Sequence, residues 1–253
     1  MYDRDARSFI RYRPNPAISG SLRGSTVRAV SQDETGKLWV GTENSGINIF
    51  LPEEGVFRHE QETGDQKGLA GDRIRSLFVD HSGLLWIGTR DNGISIYNPR
   101  SRDFSLLSTR NTARQIFEDS GGILWYGTDG GGLHGIDPAK KASFVFRNQV
   151  GDPASLSSDL VYSIAEDDGG TLWIGTDGGG LNALDRKSGR FRRYLHDPQN
   201  PRSLGSNVVW ALYCDSKGVL WIGTEGGGLN RFDSAAGGFR RYRHDPKNEH
   251  SLN

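Results

Sequence analysis

The chain has 253 residues, among them 35 glycines, one cysteine and one methionine, and its 31 Lys and Arg residues balance its 31 Asp and Glu residues. Mean hydropathy is −0.59 and no stretch approaches the roughly 18 apolar residues of a membrane-spanning helix; Cys214 alone excludes a disulfide framework, and zero net charge excludes a global field steering the chain to nucleic acid or an anionic membrane. Six Trp, eight Tyr and eleven Phe spread along the chain can bury a core that a disordered sequence lacks, and glycine at roughly twice its usual share points to a turn-rich array of short strands.

The first apolar run, Phe9-Ile10-Arg11-Tyr12, reads as a strand that stands by itself. From residue 33 the sequence repeats, and five segments align without gaps: 33–50, 80–97, 119–136, 167–184 and 215–232. Their tryptophans are Trp39, Trp86, Trp125, Trp173 and Trp221, spaced by 47, 39, 48 and 48 residues. That period suits a four-stranded propeller blade. Trp210 is the one tryptophan outside the motif.

Within a repeat, Val161 to Ala165 predicts the first strand, Thr171 to Thr176 the second, Leu181 to Leu184 the third and Arg190 to Tyr194 the fourth. Asp-x-x-Gly and Asp-Gly-Gly-Gly make the turns between them. Asp accepts hydrogen bonds from following amides and Gly supplies positive φ. In Leu172-Trp173-Ile174 successive side chains point to opposite faces and all are apolar, so the second strand is expected to be buried on both faces. Stacked blades provide two dry faces, with the repeated tryptophans as structural filler between them. The fold class expected is therefore all-β, a propeller of four-stranded blades.

The run Asp-x-x-Gly-x-Leu-Trp-Ile-Gly-Thr, followed by a Gly-rich turn and Leu-Asn, resembles the two-component regulator propeller repeat, and residues 215–230 match it closely. The sialidase Asp-box fits less well because its Asp stands one residue nearer to Gly and Trp, and no Gly-His or Trp-Asp pairing suggests WD40. The resemblance implies seven-bladed propellers in extracytoplasmic sensor regions of bacterial proteins, followed by a transmembrane helix and a histidine kinase or diguanylate cyclase output. It also implies a periplasmic or extracytoplasmic location, an oligosaccharide or other small-molecule ligand, and a homodimer formed through the full-length protein. No enzyme activity, cofactor, metal, nucleic-acid partner or direct membrane contact is expected of this chain.

Outer-strand motifs occur six times, at Phe9, Phe57, Phe104, Phe144, Phe191 and Phe239, against five tryptophan motifs. This predicts one partial propeller domain over 1–253, with blades at about 27–59, 74–107, 113–147, 161–195 and 209–243, and residues 1–15 as the outer strand of a preceding blade. The expected object is part of a larger, seven-bladed ring, with a closed five-bladed ring as the alternative.

Residues common to all repeats read as architecture, so a binding site is expected where equivalent positions diverge. Asp33, Asp80, Asp119, Asp167 and Asp215 read as turn formers, and Thr42, Thr89, Thr128, Thr176 and Thr224 as local hydrogen-bonding groups at strand ends. Eleven residues before each motif tryptophan the sequence instead reads Arg28, Arg75, Arg114, Tyr162 and Trp210. In the propeller that the resemblance implies, this position opens the innermost strand, where guanidiniums would fork onto carboxylates and rings would stack on sugars. Secondary rim candidates are Arg90, basic where the other repeats have Glu43, Asp129, Asp177 and Glu225, and His196 and His244 in the long connections. Asp-Gly-Gly-Gly is no phosphate loop, since no Lys-Ser/Thr and helix follow it. The connection between Phe104 and Ala113 is about nine residues shorter than its counterparts and lacks their Ser-Leu lead-in, which is expected to open a notch in the rim. A protein-interaction scaffold and a propeller lyase or hydrolase are the competing functions; the latter requires a position-specific acid and base, and no such pair stands out.

Overall fold

The structure is a computed structural model that describes residues 2–3, 6–60, 68–107, 109 and 111–252. Every regular element among them is a strand. The chain divides into two compact units, Met1–Thr112 and Ala113–Asn253.

The first unit opens with a small hairpin, β1 (Tyr2–Asp3) against β2 (Ser8–Phe9). Blade 1 follows as β3 (Val27–Gln32), β4 (Leu38–Thr42), β5 (Ile47–Leu51) and β6 (Val56–Glu60), and blade 2 as β7 (Ile74–Val79), β8 (Leu85–Thr89), β9 (Ile94–Asn98) and β10 (Asp103–Leu107). The second unit holds blade 3, β11 (Ala113–Glu118), β12 (Leu124–Thr128), β13 (Leu133–Asp137) and β14 (Ala142–Phe146). Blade 4 is β15 (Val161–Glu166), β16 (Leu172–Thr176), β17 (Leu181–Asp185) and β18 (Arg190–Tyr194); blade 5 is β19 (Val209–Cys214), β20 (Leu220–Thr224), β21 (Gly228–Asp233) and β22 (Gly238–Tyr242). Each blade is an antiparallel meander whose strands lie side by side in chain order. The expected strand therefore forms in every repeat, with ends within a residue or so of those read from the sequence. The Phe9–Tyr12 run is the exception: only Ser8–Phe9 is strand. Its end leaves the sheet, and the Tyr12 ring meets Phe50 and Phe57 edge-on at 5.1 and 5.4 Å.

The apolar faces close as the alternation demands. In β8, β12 and β16 all five residues are buried. Trp39, Ile47 and Ile49 of blade 1 pack with Leu69, Ile74, Leu85 and Ile87 of blade 2. In the second unit Trp125 and Leu133 meet Val161, Ile164, Leu172 and Ile174, and Trp173 and Leu181 meet Val209, Leu220, Ile222 and Phe239. Each of these tryptophans thus fills the space toward the following blade of its unit.

Glycine in the second strand is needed because the next blade's first side chain presses on it. A Cβ on Gly127 would lie 2.5 Å from Val161 Cγ1 and 2.9 Å from the Val161 carbonyl oxygen. Backbone cannot yield, so Gly127→Ala is expected to destabilise the protein by about 1–3 kcal/mol. At Gly223 the nearest atom is Ala211 Cβ at 3.5 Å, and Gly223→Ala should stay within about 0.5 kcal/mol. Urea denaturation of the two variants checks the contrast.

The Asp turns form as expected and do more. Asp167 accepts the Gly169 and Thr171 amides on Oδ1, at 3.0 and 2.8 Å, and the Trp173 indole N–H on Oδ2 at 2.7 Å. The same indole bond recurs from Trp39, Trp86, Trp125 and Trp221 to their own Asp. One carboxylate therefore closes the turn and orients the ring that fills the core. Each motif Thr donates its hydroxyl to a glycine carbonyl four residues on, closing the next turn.

Candidate functional site

In every blade the pairing of the first two strands slips by one residue: between Val27 and Ala29, Ile74 and Ser76, Ala113 and Gln115, Val161 and Ser163, and Val209 and Ala211. The residue left over is Arg28, Arg75, Arg114, Tyr162 or Trp210. A bulge leaves its extra residue out of the ladder and re-aims the side chain. A position where the repeats diverge is thus the one left out of the ladder in every blade.

In the first unit three guanidiniums gather on one carboxylate. Glu43 Oε2 accepts a short hydrogen bond from Arg28 Nε, Arg75 Nη2 lies 3.2 Å from Glu43 Oε1, and Arg90 Nη1 lies 3.7 Å from it. Arg28, with Arg75 and Arg90 beside it, holds Glu43 below the usual carboxylate range despite the opposing effect of burial, so Glu43 stays ionised. The side chains of Arg28 and Arg90 are 45% and 44% exposed, against 16% for Arg75, so Arg28 and Arg90 are the ones a solute meets. Arg90, a rim candidate from sequence, belongs to this cluster.

In the second unit the corresponding residues satisfy one another. Arg114 forks onto Asp129 through Nε and Nη2 at 2.9 and 2.8 Å, and its guanidinium carbon sits 4.7 Å above the Tyr162 ring. The Tyr162 hydroxyl donates to Asp177 at 2.8 Å, and its ring stacks on Trp210 with centroids 4.5 Å apart. The Trp210 indole N–H points at Glu225 at 3.4 Å. Burial, then the Asp177 carboxylate, pushes the Tyr162 phenol up to about 12. Both faces of Tyr162 are taken, which leaves Trp210, 47% exposed, as the ring of this ladder that a sugar can stack on.

His196 and His244 are tied into their own connections. Their Nδ1 atoms lie 2.7 Å from the Leu204 and Leu252 carbonyl oxygens. No group of three or more His, Cys, Asp or Glu among the described residues is arranged to hold a metal ion.

Two features go beyond the sequence reading, the first being what the Ser-Leu lead-in does. In four blades a leucine seventeen residues before the tryptophan leads into the blade; Leu22, Leu69, Leu156 and Leu204 are all buried. The following residue donates its amide to a side chain of the third strand, as Arg23 does to Asn48, Ala70 to Ser95, Ser157 to Asn182 and Gly205 to Asn230. In blade 3 the leucine position is Ser108, outside the described residues, and the third strand carries His134. That ring stacks on Tyr126 at 4.6 Å and meets the Gly131 carbonyl at 3.1 Å, and burial lowers its pKa. The shortened connection was the available signal, but only the structure links it to His134. The second feature is Gln115, whose side chain reaches the backbone of Ile164 in the next blade.

The profile of the two component regulator propeller family matches residues 21–44, 68–91, 155–178 and 203–226. Each match opens one residue before a buried lead-in leucine and runs through the bulge and the tryptophan; blade 3, without that leucine, falls outside them. No curated protein matches the chain. Among solved structures, the extracellular domain of a putative hybrid two component system from B. thetaiotaomicron is 29% identical with a TM-score of 0.73, the match covering 91% of this chain and 30% of that one. The extracellular domain of a putative one component system from the same organism is 22% identical with a TM-score of 0.68, covering 92% and 29%. Virginiamycin B lyase from Staphylococcus aureus is 14% identical with a TM-score of 0.64, covering 90% and 74%. The last two share the fold alone, and the chain spans under a third of the length of the first two. Four of the five repeats therefore match the two component regulator propeller family, and the β-propeller is related in fold and sequence to the extracellular domain of a putative hybrid two component system.

Proposed function

We propose that this propeller is the ligand-sensing part of an extracytoplasmic signalling protein, that it binds an acidic oligosaccharide at bulge residues, and that it relays binding to an output domain outside this chain. The observation that carries the reading is the coincidence of the bulge with the divergent position in all five blades. Conserved architecture would not need Arg, Tyr and Trp there in turn. The exposed guanidiniums of Arg28 and Arg90 favour an anion, since guanidinium forks suit carboxylates. Binding is favoured over catalysis because the acid and base groups of the second unit are engaged with each other, and a phenol at about 12 keeps its proton at neutral pH. The relation to the extracellular domain of a hybrid two component system supports the extracytoplasmic location.

Calorimetric titration with trigalacturonate and with maltotriose tests this. The acidic trisaccharide is expected to bind, and to bind more weakly as salt rises from about 0.05 to 0.5 M because exposed charges are screened. Equal binding of the two sugars, or none of either, would overturn the reading.

A further inference from the structure

The first strand of each blade is the edge of its sheet, so part of its backbone has no strand to pair with. In β15 that open pair is the N–H and C=O of Ile164. The Gln115 side chain of blade 3 meets both: its Oε1 accepts the Ile164 amide at 2.8 Å and its Nε2 donates to the Ile164 carbonyl at 3.2 Å. A primary amide here does what a residue of a neighbouring strand would do.

Among the described residues, no other repeat has a side chain that could do this. Ten residues before the motif tryptophan the chain reads Ala29, Ser76, Gln115, Ser163 and Ala211, and only glutamine has two polar atoms on a stem long enough to reach the next edge. Ser163, the equivalent residue one blade on, has a buried hydroxyl with no hydrogen-bond partner. Gln115 directly follows the bulge residue Arg114, and Ile164 lies two residues after the bulge residue Tyr162. The splice therefore ties together the two strands that carry the stacked pair.

We infer that Gln115 is a positioning residue: its amide holds the bulged strands of blades 3 and 4 together so that Arg114 and Tyr162 form a preformed cation–aromatic pair. This rests on the reading of the bulge residues as a ligand-binding surface, where preformed groups lose less freedom on binding. The role is one of placement, since Gln115 itself points along the blade junction to backbone atoms.

Gln115→Met keeps the length and bulk and removes both hydrogen bonds. Hydrogen exchange resolved to single amides is expected to quicken by about tenfold at Ile164 and to stay unchanged at the β15 amides that pair with β16. The near-ultraviolet circular dichroism of the Tyr162–Trp210 stack should fall with it. Gln115→Glu, a near-isostere that keeps the acceptor for the Ile164 amide but turns a carboxylate on the Ile164 carbonyl, should reduce the same dichroism while leaving Ile164 protected. Ser163→Ala, at the unspliced junction, should alter neither signal. If both Gln115 variants keep wild-type exchange and dichroism, or if exchange quickens evenly along β15, the positioning role is overturned whether or not any sugar binds. If the signals change as described while the wild-type chain fails to bind trigalacturonate, Gln115 keeps its role and the ligand-binding reading falls.

Discussion

Replacing Asp119 with alanine is expected to lower stability by about 3–5 kcal/mol, because it takes their charged acceptor from two turn amides and the buried Trp125 indole and removes one of the two carboxylates that Arg186 meets. The Asp119 carboxylate has no exposure and meets Arg186 Nη1 at 3.0 Å. Its Oδ1 holds the Gly121 and Ile123 amides, both at 2.9 Å, and its Oδ2 holds the Trp125 indole at 2.7 Å. Arg186 also reaches Glu166 at 2.6 Å, and Glu166 in turn accepts the Ser120 amide and hydroxyl. One substitution thus opens a turn, frees a core tryptophan and unbalances an ion network between blades 3 and 4. Asp33 makes the equivalent turn and indole bonds at a more exposed site. Burial there raises its pKa, but hydrogen bonds from Thr35, Trp39 and Lys37 outweigh it and set the net shift downward. Asp33→Ala should cost less, about 1–2 kcal/mol. Urea titration followed by tryptophan fluorescence compares the two, and equal losses would show that the Arg186 pairing contributes nothing beyond the shared turn.

Exchanging both Arg28 and Arg90 for alanine is expected to weaken binding of an acidic oligosaccharide by about 100-fold, since each charge-assisted hydrogen bond contributes about 1.5–3 kcal/mol. Both side chains are nearly half exposed, so the fold should change by no more than about 0.5 kcal/mol. Arg75 stays in place to keep Glu43 paired, which avoids a stranded buried carboxylate. Glu43→Gln moves the other way: with three guanidiniums and no anion among them, affinity for the acid should rise severalfold. Calorimetry on the three proteins reads both signs. Unchanged affinity in the double variant would show that the Glu43 cluster is not the binding site.

How much of this was legible beforehand depends on how local each interaction is. The 48-residue period, the four strands, the Asp-x-x-Gly turns and the Thr caps all rest on contacts within a few residues, such as Asp167 to Gly169 and Thr171 or Thr176 to Gly180. Comparing repeats also singled out the position of Arg28, Arg75, Arg114, Tyr162 and Trp210, because divergence inside a constant frame is visible in one dimension. The frame could not show that this position is a bulge. A slip of register belongs to a pair of strands, and neither strand carries it alone.

Partner choice lay further from reach. Arg114 and Arg28 occupy equivalent places, yet Arg114 is held by Asp129 of its own blade while Arg28 shares Glu43 with Arg75 and Arg90 from the next. Tyr162, a candidate stacking ring from sequence, has the Arg114 guanidinium over it and Trp210 stacked on it. His196 and His244, rim candidates in the long connections, each set Nδ1 against a carbonyl eight residues on. From the sequence alone come the fold class, the blade order and the position worth testing, because strand periodicity and turn chemistry are written in neighbouring residues. Which charges are neutralised, which ring stays open and which edge Gln115 splices were decided by tertiary structure, because each depends on a group dozens of residues away brought within 3 to 5 Å.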